Sequence, residues 1–276
     1  MTGVSFVDVP FGARTVSIEH AWIAPSHTAA PLVVFLHEGL GSVAMWKDYP
    51  GKLCDEGGYR GLVFSRVGYG RSTPRPRDER WPPDFMDAQA REFLPRFFAR
   101  LGIGADGAKP WLLGHSDGAS IALIHAAACP ETVAGVIAVA PHIVVEELAI
   151  RSIQAAKHAY VTADLKSRLA RYHDDPDSAF GGWSDAWLAP EFRGWSIEAI
   201  LADLRCPILA VQGEDDEYGT PAQVQGIRQR APQTTVTVFP NCGHSPHRDQ
   251  PEALTQAVKD FIVRYSPAPT RQGEMQ

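Results

Sequence analysis

A serine flanked by glycines is the first feature of the sequence that points to chemistry. It lies in Gly114-His115-Ser116-Asp117-Gly118, between an apolar segment and an alanine-rich one. In such a G-x-S-x-G turn from strand to helix, the small flanking residues let the neighbouring chain pass closely, and the serine hydroxyl rises above the sheet edge. The following helix directs its first N–H groups toward the same point, which suits an anionic intermediate. The pattern therefore predicts Ser116 as a nucleophile.

A serine hydroxyl is a weak nucleophile near neutral pH, so it needs a general base and a carboxylate that orients the base. With this type of turn, the three residues follow the chain order serine, acid, histidine. Four carboxylates follow the late apolar segment that ends at Gly213. Among them we predict Asp216 as the acid, since G-x-x-D is the recurrent arrangement there, and Asp215 is the alternative.

The predicted base is His244, which follows the last apolar segment within Cys242-Gly243-His244. Gly243 permits the tight loop that turns an imidazole inward. His247 lies beyond a proline and is expected at the rim of the site.

Acyl transfer also requires N–H donors for the oxyanion. One donor is expected to be the backbone N–H of Asp117, the residue after the nucleophile. The second is expected in the loop His37-Glu38-Gly39-Leu40-Gly41-Ser42, which follows the first long apolar segment. We assign it to Gly39, with Glu38 as the alternative.

Strand-like and helix-like segments alternate along most of the chain. Residues 4–9 and 16–23 alternate apolar and polar side chains, as in an antiparallel hairpin at a sheet edge. Further strands are predicted over 32–36, 61–65, 110–113, 133–139, 207–211 and 235–239, and helices over 43–56, 84–101, 118–128, 221–229 and 252–265. This alternation predicts an α/β fold with a mainly parallel sheet covered by helices on both faces.

The alternation stops between 141 and about 203, where patterns such as 146–172 are helical. We predict that 143–201 is a helical cap inserted into an α/β core formed by 1–142 and 202–276. Within it, Trp183 and Trp187 are candidate contacts for an apolar or aromatic acyl group, although tryptophans in such a segment more often serve packing.

These features together resemble the α/β-hydrolase superfamily, in its serine-nucleophile branch of esterases and C–C hydrolases with helical caps. The matching pieces are the His37 loop with Trp46 downstream, Gly68-Tyr69-Gly70-Arg71-Ser72, the Ser116 turn, Asp216 and Gly243-His244. The resemblance covers nearly the whole chain. It implies an eight-stranded, mostly parallel sheet with an antiparallel second strand, and a cap after the sixth strand.

Two positions depart from the family pattern. The usual His-Gly pair of the oxyanion loop is His37-Glu38 here, which puts a carboxylate near the pocket mouth and makes Glu38 a candidate substrate-binding residue. The aspartate often found before the G-x-G-x-S segment is Ser65. Asp117 is a further feature, because in some relatives that hydrolyse amino-acid esters an aspartate there meets a substrate ammonium. Its side chain is equally suited to capping the following helix.

The resulting hypothesis is a serine hydrolase that acts through an acyl-enzyme on an ester or thioester of a small apolar or aromatic acyl group. Hydrolysis of a C–C bond in a β-diketone-like ring-cleavage product is the alternative, since it uses the same residues. A non-catalytic ligand-binding protein on this fold is the alternative from another class, and the presence of all three triad residues disfavours it.

The composition and the net charge limit the classes of partner that we expect for this protein. The chain has 276 residues and a net charge of −6, which argues against nucleic acid or an anionic membrane as the main partner. No apolar run approaches about 18 residues and the first residues do not read as a signal peptide, so we expect a cytoplasmic protein with a small-molecule substrate. No cofactor or metal is predicted. The dinucleotide-like pattern over 102–107 follows a helix and precedes a strand, the reverse of the required order, and His244 and His247 share a proline-containing loop rather than a helix face.

Overall fold

Eight strands form one sheet in the computed structural model, which describes residues 3–266. They are β1 (Ser5–Phe11), β2 (Arg14–Ile23), β3 (Leu32–Leu36), β4 (Arg60–Phe64), β5 (Trp111–His115), β6 (Gly135–Val139), β7 (Ile208–Gly213) and β8 (Thr234–Phe239). Their order across the sheet is β1-β2-β4-β3-β5-β6-β7-β8. β2 is antiparallel to β1 and β4, and all pairs from β4 to β8 are parallel. The predicted sheet is therefore confirmed, including its antiparallel second strand.

The strands at the centre of the sheet are apolar because both of their faces are covered. β3, β5 and β6 are buried at every residue. Along β3, Val34 and Leu36 pack into one apolar cluster, whereas Val33 and Phe35 pack into the other. Successive side chains of a strand point to opposite faces, so the two clusters form one core layer on each side of the sheet.

Helices cover both faces. They are α1 (Tyr49–Gly57), α2 (Phe85–Ala88), α3 (Leu94–Arg100), α4 (Asp117–Ala128), α5 (Glu147–Thr162), α6 (Leu165–Leu169), α7 (Pro176–Trp187), α8 (Ala222–Arg230), α9 (Pro246–Asp249) and α10 (Pro251–Tyr265). α1 and α10 contribute to the cluster that contains Val33, and α2, α3, α4 and α8 contribute to the cluster that contains Val34. The helices on both faces confirm the predicted α/β class.

Three predicted helical segments differ in detail from the observed helices. The helix predicted over 43–56 begins only at Tyr49, because Pro50 lies within that range and proline is tolerated only in the first turn of a helix. The helix predicted over 84–101 contains one π-helical turn, Gln89–Phe93, between α2 and α3. The helical pattern over 146–172 also divides into α5 and α6, since Ala163 between them is extended, with φ −128° and ψ −161°.

The segment between β6 and β7 contains helices α5, α6 and α7 and none of the eight strands that the described residues form. Its two ends meet at an isolated antiparallel bridge between Val144 and Ser196. A buried histidine, His173, connects the segment to two loops of the sheet. Its Nδ1 accepts the Gly70 N–H at 2.9 Å, so its Nε2 carries the proton and donates to the Leu40 carbonyl at 2.9 Å.

The division into a cap and a core stays a prediction. The outermost core residues, 1–2 and 267–276, lie outside the described part of the chain. Over residues 3–266, no helix combines the length and the apolar character that crossing a membrane requires.

Candidate active site

Ser116 lies at the sharp turn between β5 and α4. Its backbone adopts φ 54° and ψ −120°, in the left-handed region that residues with a side chain rarely occupy. The Ser116 N–H donates to the Val139 carbonyl of β6 at 2.9 Å, which holds the turn against the sheet. A conformation of this kind costs on the order of 1–3 kcal/mol and persists only where the surroundings enforce it.

The two glycines of the motif are required by close backbone contacts. A Cβ on Gly114 would overlap the carbonyl of Gly118, and a Cβ on Gly118 would overlap the carbonyl of Leu36 in β3. The first turn of α4 therefore packs directly against the ends of β3 and β5. This contact brings the amino end of α4 next to the loop that follows β3.

Replacing Gly118 with alanine is expected to lower the free energy of unfolding by about 1–3 kcal/mol, the usual cost of overpacking, because the opposing atoms belong to backbone and cannot rotate away. The matched control is Gly51→Ala in α1, where a Cβ would meet nothing within 4 Å. Alanine favours helix over glycine, so this control is expected to gain up to about 1 kcal/mol. Urea unfolding of both variants measures the difference, and equal stabilities would contradict the packing argument.

Asp216 and His244 form a hydrogen-bonded pair. The Nδ1 of His244 lies 2.8 Å from Oδ1 and 2.9 Å from Oδ2 of Asp216, so Nδ1 carries the proton and Nε2 keeps its lone pair. Asp216 Oδ1 also accepts the backbone N–H groups of Tyr218 at 2.7 Å and Gly219 at 3.1 Å. Asp215, by contrast, is exposed, and its backbone N–H donates to the Cys242 carbonyl at 3.0 Å.

The carboxylate of Asp216 is held ionised. Burial alone would raise its pKa, but the hydrogen bond and charge of His244, with the N–H groups of Tyr218 and Gly219, outweigh burial and lower the pKa below its ordinary value. Gln212 in β7 donates a further hydrogen bond to Oδ2. A charged and fixed carboxylate can both orient the imidazole and stabilise its cationic form.

The loop that carries His244 is fixed on both sides of the residue. Its backbone N–H donates to Glu217 Oε2 at 3.1 Å, and its carbonyl accepts a 2.7 Å hydrogen bond from His115 Nε2. The Tyr218 ring lies 4.7 Å from the His244 ring, measured between centroids. His115, the residue before the predicted nucleophile, thereby contacts the residue predicted as the base.

Two hydrogen bonds hold the Glu38 carbonyl, next to the Gly39 N–H in the loop after β3. His37 Nδ1 donates to the Glu38 carbonyl at 2.7 Å, and the Arg66 guanidinium donates to the same oxygen at 2.9 Å. In a trans peptide the C=O and the next N–H point in opposite directions, so the Gly39 N–H is directed away from His37 and Arg66. Burial, and then the charge of Arg66, hold the pKa of His37 well below its ordinary value, and His37 is therefore neutral.

One cavity of about 320 Å³ brings most of the predicted residues together. Its lining includes seven of the eight residues predicted for the site, which are Glu38, Gly39, Ser116, Asp117, Trp183, Trp187 and His244. Asp216 is not part of the lining and contacts His244 from behind. Gly39 lies so close to the Trp183 indole that a Cβ there would overlap the ring nitrogen.

The backbone and the side chain of Asp117 lie in different surroundings. Its backbone N–H, the first of α4, has no helical partner four residues earlier. Its buried carboxylate accepts a 3.1 Å hydrogen bond from Trp187 Nε1 and lies 3.6 Å from the Arg66 guanidinium. Burial raises the pKa of this carboxyl, and the charge of Arg66 opposes the shift. The side chain is thus paired within the protein, rather than capping α4.

Glu38 also turns its side chain inward. Its Oε2 lies 3.5 Å from Nδ1 of His115, the residue that holds the His244 carbonyl. Burial would raise the Glu38 pKa, but the hydrogen bond and charge of His115 dominate and lower it well below the ordinary value. The carboxylate that replaces the family's usual glycine therefore connects the loop after β3 to the loop of His244.

Ser65 stands where the family often has an aspartate, and a glutamate of β2 makes the hydrogen bonds near this position. Ser65 Oγ donates to Glu19 Oε2 at 2.7 Å and accepts the Val43 N–H at 2.9 Å. The same Glu19 oxygen accepts the Arg71 N–H at 2.9 Å. A buried glutamate from the neighbouring strand thus supplies the carboxyl oxygen that joins Ser65 to the loop over 68–72.

His142 is a cavity residue that the sequence analysis missed. It is buried, lines the cavity, and its ring centroid lies 5.9 Å from that of His244 and 4.9 Å from that of Trp187. Burial, and then the charge of His244, lower its pKa to about 3. The available signal was its position just after β6, because ligand sites of parallel sheets lie at the carboxyl ends of strands.

The residues of the site do not form a metal centre. Within residues 3–266, no group of three or more His, Cys, Asp or Glu side chains is arranged to hold a metal ion. The His247 ring, which is buried rather than at the rim, packs against Trp46 with centroids 5.0 Å apart.

Comparison with known proteins identifies the family behind this geometry. A family model described as "Alpha/beta hydrolase family" matches residues 33–257, most of the chain. The chain belongs to the alpha/beta hydrolase family. The matched region of this alpha/beta hydrolase contains the Gly39 loop, the Ser116 turn, Asp216 and His244.

Individual relatives of this alpha/beta hydrolase are distant. It is 24% identical over 264 residues to 2-succinyl-6-hydroxy-2,4-cyclohexadiene-1-carboxylate synthase of Enterobacter sp. (strain 638), a match that covers 84% of this chain and 92% of that protein. It is 24% identical over 115 residues to pimeloyl-[acyl-carrier protein] methyl ester esterase of Aromatoleum aromaticum, covering 42% of this chain and 44% of that enzyme. The latter match thus spans less than half the length of the esterase.

A thermophilic esterase from Thermogutta terrifontis, solved with malate bound, shares the fold. It superposes with a TM-score of 0.70 at 21% identity, covering 95% of this chain and 100% of that chain.

Proposed function

We propose that this alpha/beta hydrolase cleaves carboxylic esters or thioesters through an acyl-enzyme formed on Ser116. The observation that carries the proposal is the bidentate contact between Asp216 and His244 Nδ1, which leaves Nε2 as a base beside the cavity that Ser116 lines. A structural histidine would not need a buried, ionised carboxylate behind it.

The proposed reaction has two halves. In the first, Ser116 Oγ attacks the carbonyl carbon, His244 Nε2 takes the hydroxyl proton, and the proton then passes to the leaving alcohol or thiol. In the second, water loses a proton to His244 and attacks the acyl carbon, which releases the carboxylic acid and restores the Ser116 hydroxyl. Asp216 keeps the imidazole in the required tautomer throughout.

Two backbone N–H groups are proposed to bind the oxyanion, those of Gly39 and Asp117. The Gly39 N–H is directed by the anchored Glu38 carbonyl, and the Asp117 N–H opens α4, where the helix dipole favours negative charge. The loop after β3 and the amino end of α4 are locked together by the Gly118 contact. Donors that are fixed before the reaction need no reorganisation as charge develops.

The cavity suits a small acyl group. A volume of about 320 Å³ lies at the lower end of the range for small-molecule sites, and Trp183 and Trp187 give it an aromatic wall. We further propose that 143–201 is the cap of this enzyme. Both tryptophans come from that segment, as do Ile153 and Leu169, which also line the cavity.

Cleavage of a C–C bond next to a carbonyl is the second candidate reaction, since it uses the same residues. The relative that matches most of the chain is named for a reaction that forms a cyclohexadiene carboxylate, whereas the shorter match is named as a methyl ester esterase. A substrate panel of short-chain methyl and p-nitrophenyl esters, N-acetylcysteamine thioesters and vinylogous β-diketones distinguishes the two.

Fluorophosphonate labelling tests the proposal without knowledge of the substrate. The wild-type protein is expected to gain the mass of one phosphonyl group, and peptide mapping is expected to locate it on Ser116. Labelling should be lost after unfolding in urea, because it depends on the assembled triad. A folded protein that gains no adduct and turns over no member of the panel would favour the binding-protein alternative.

A further inference from the structure

Four cations line the rim of the cavity that contains Ser116, namely Lys47, Arg168, Arg171 and Arg248. All four are exposed, whereas Ser116 is buried. They come from both sides of the opening, since Lys47 and Arg248 belong to the predicted core and Arg168 and Arg171 to the segment 143–201. The protein as a whole has a net charge of −6, so this concentration of positive charge is local.

Neighbouring carboxylates leave most of this charge uncompensated. None of the ion pairs formed by the described residues includes Lys47, Arg171 or Arg248. Arg168 has one contact, with Asp164 at 3.9 Å, between two exposed side chains. Exposed pairs of this kind contribute little. Three of the cations donate hydrogen bonds to hydroxyl or carbonyl oxygens, Lys47 to Tyr172, Arg171 to Arg168 and Arg248 to Ser245. No carboxylate in the described part of the chain neutralises the charge of these three side chains.

The surroundings of Tyr172 indicate that the electrostatic potential at the rim is positive. Lys47 Nζ donates to its hydroxyl at 2.6 Å and lies 3.9 Å from the ring centroid, and Arg171 Cζ lies 5.8 Å from the same centroid. The hydrogen bond and charge of Lys47, followed by the charges of Arg171 and Arg168, lower the pKa of Tyr172. Negative charge is thus stabilised at this point.

The carboxylates that line the same cavity have other partners. Glu38 faces His115, and Asp117 faces Arg66 and Trp187. Glu217 is the exposed one of the three, and its Oε2 accepts the His244 N–H at 3.1 Å. The opening therefore has four exposed cations against one exposed carboxylate, while the interior is aromatic.

We propose that the cationic rim formed by Lys47, Arg168, Arg171 and Arg248 binds an anionic group of the substrate while the reacting carbonyl lies at Ser116. The inference rests on the proposed hydrolase function and narrows its substrate class to esters or thioesters with negative charge away from the scissile bond. Carboxylate and phosphate are the groups that arginine and lysine bind best. A carboxylate on the acyl chain and phosphates on the leaving group are two sources of this charge.

Pairs of charged and neutral substrates test the proposal. They also show whether the anionic group that binds the rim belongs to the acyl chain or to the leaving group. The acyl arm compares mono-p-nitrophenyl adipate with p-nitrophenyl hexanoate, and the leaving-group arm compares hexanoyl-4′-phosphopantetheine with hexanoyl-pantetheine. We expect kcat/KM to be about tenfold or more higher for the charged member in one arm. The preference should shrink between 20 mM and 500 mM NaCl, because salt screens exposed charges.

A double substitution tests whether the cations of the rim cause the preference for charged substrates. The double variant Arg171→Gln/Arg248→Gln removes one cation from each side of the opening. It is expected to lower the charged-to-neutral ratio of kcat/KM about tenfold, since each of the two exposed contacts contributes about a threefold effect. The control is Arg100→Gln/Arg264→Gln, which removes the same charge from exposed positions outside the cavity and should keep the wild-type ratio.

The possible outcomes distinguish a failure of this inference from a failure of the proposed hydrolase function. If the protein hydrolyses the neutral substrates and shows no preference for the charged member of either pair, the role proposed for the cationic rim is wrong. The proposed hydrolase function is then unaffected. A preference that survives in the double variant would overturn the assignment to these residues. A protein that hydrolyses none of the four substrates and takes no fluorophosphonate would overturn the proposed function, and the inference with it.

Discussion

Ser116→Ala is expected to lower kcat for any ester or thioester substrate by about 10⁴-fold or more, the scale of loss when a triad nucleophile is removed. Only the Oγ atom is lost, and the backbone at φ 54° is held by the same Val139 hydrogen bond in both proteins. Folding should therefore be unchanged. Steady-state kinetics beside urea unfolding measures both effects.

The control for this substitution is Ser5→Ala, which removes a hydroxyl from an exposed position on the edge strand β1. It is expected to retain wild-type kcat and the fluorophosphonate adduct, whereas Ser116→Ala should lose both. Turnover within tenfold of wild type in a folded Ser116→Ala protein would contradict the acyl-enzyme mechanism and direct attention to water activated by His244 alone.

Asp216→Asn is expected to lower kcat by about 10⁴-fold, because an asparagine can donate an N–H toward His244 Nδ1 and favour the tautomer with the proton on Nε2. That tautomer has no lone pair facing the cavity. The neighbouring substitution Asp215→Asn removes the same charge from an exposed side chain and is expected to change kcat by less than about twofold.

This pair is informative because charge, volume and chain position are almost identical. A comparable loss in both variants would mean that the acidic turn acts through its overall charge rather than through the Asp216–His244 hydrogen bonds. Kinetics at matched pH and ionic strength gives the comparison. Each variant should unfold cooperatively in urea, which separates a catalytic loss from a folding defect.

The nucleophile and the sheet could be predicted from the sequence because their signals are local. Five consecutive apolar residues at 32–36 indicate a strand buried on both faces, and Gly114 and Gly118 indicate a turn that a Cβ would block. The choice between Asp215 and Asp216 was a preference among adjacent carboxylates. Only the path of the turn, with two N–H groups on Asp216 Oδ1, decides which one meets His244.

The contacts of the long charged side chains could not be predicted. The sequence places Glu38 near the pocket, but it does not show that the carboxylate faces His115, which is 77 positions away in the chain. For the Asp117 carboxylate the sequence offers a substrate ammonium or the amino end of α4 as partners, and it indicates neither Arg66 nor Trp187, between which the carboxylate lies. A sequence pattern places the Cα of such residues, whereas the direction of the side chain depends on groups that folding brings together.

One buried histidine couples the helical segment between β6 and β7 to the loop that carries Gly39. His173 joins the helical segment to Gly70 on one side and to Leu40, in the loop of Gly39, on the other. A displacement of the helical segment that broke these two bonds would also remove a support of the loop that carries Gly39. In the proposed mechanism, the position of the segment and the binding of the oxyanion by the Gly39 N–H are therefore coupled through one side chain.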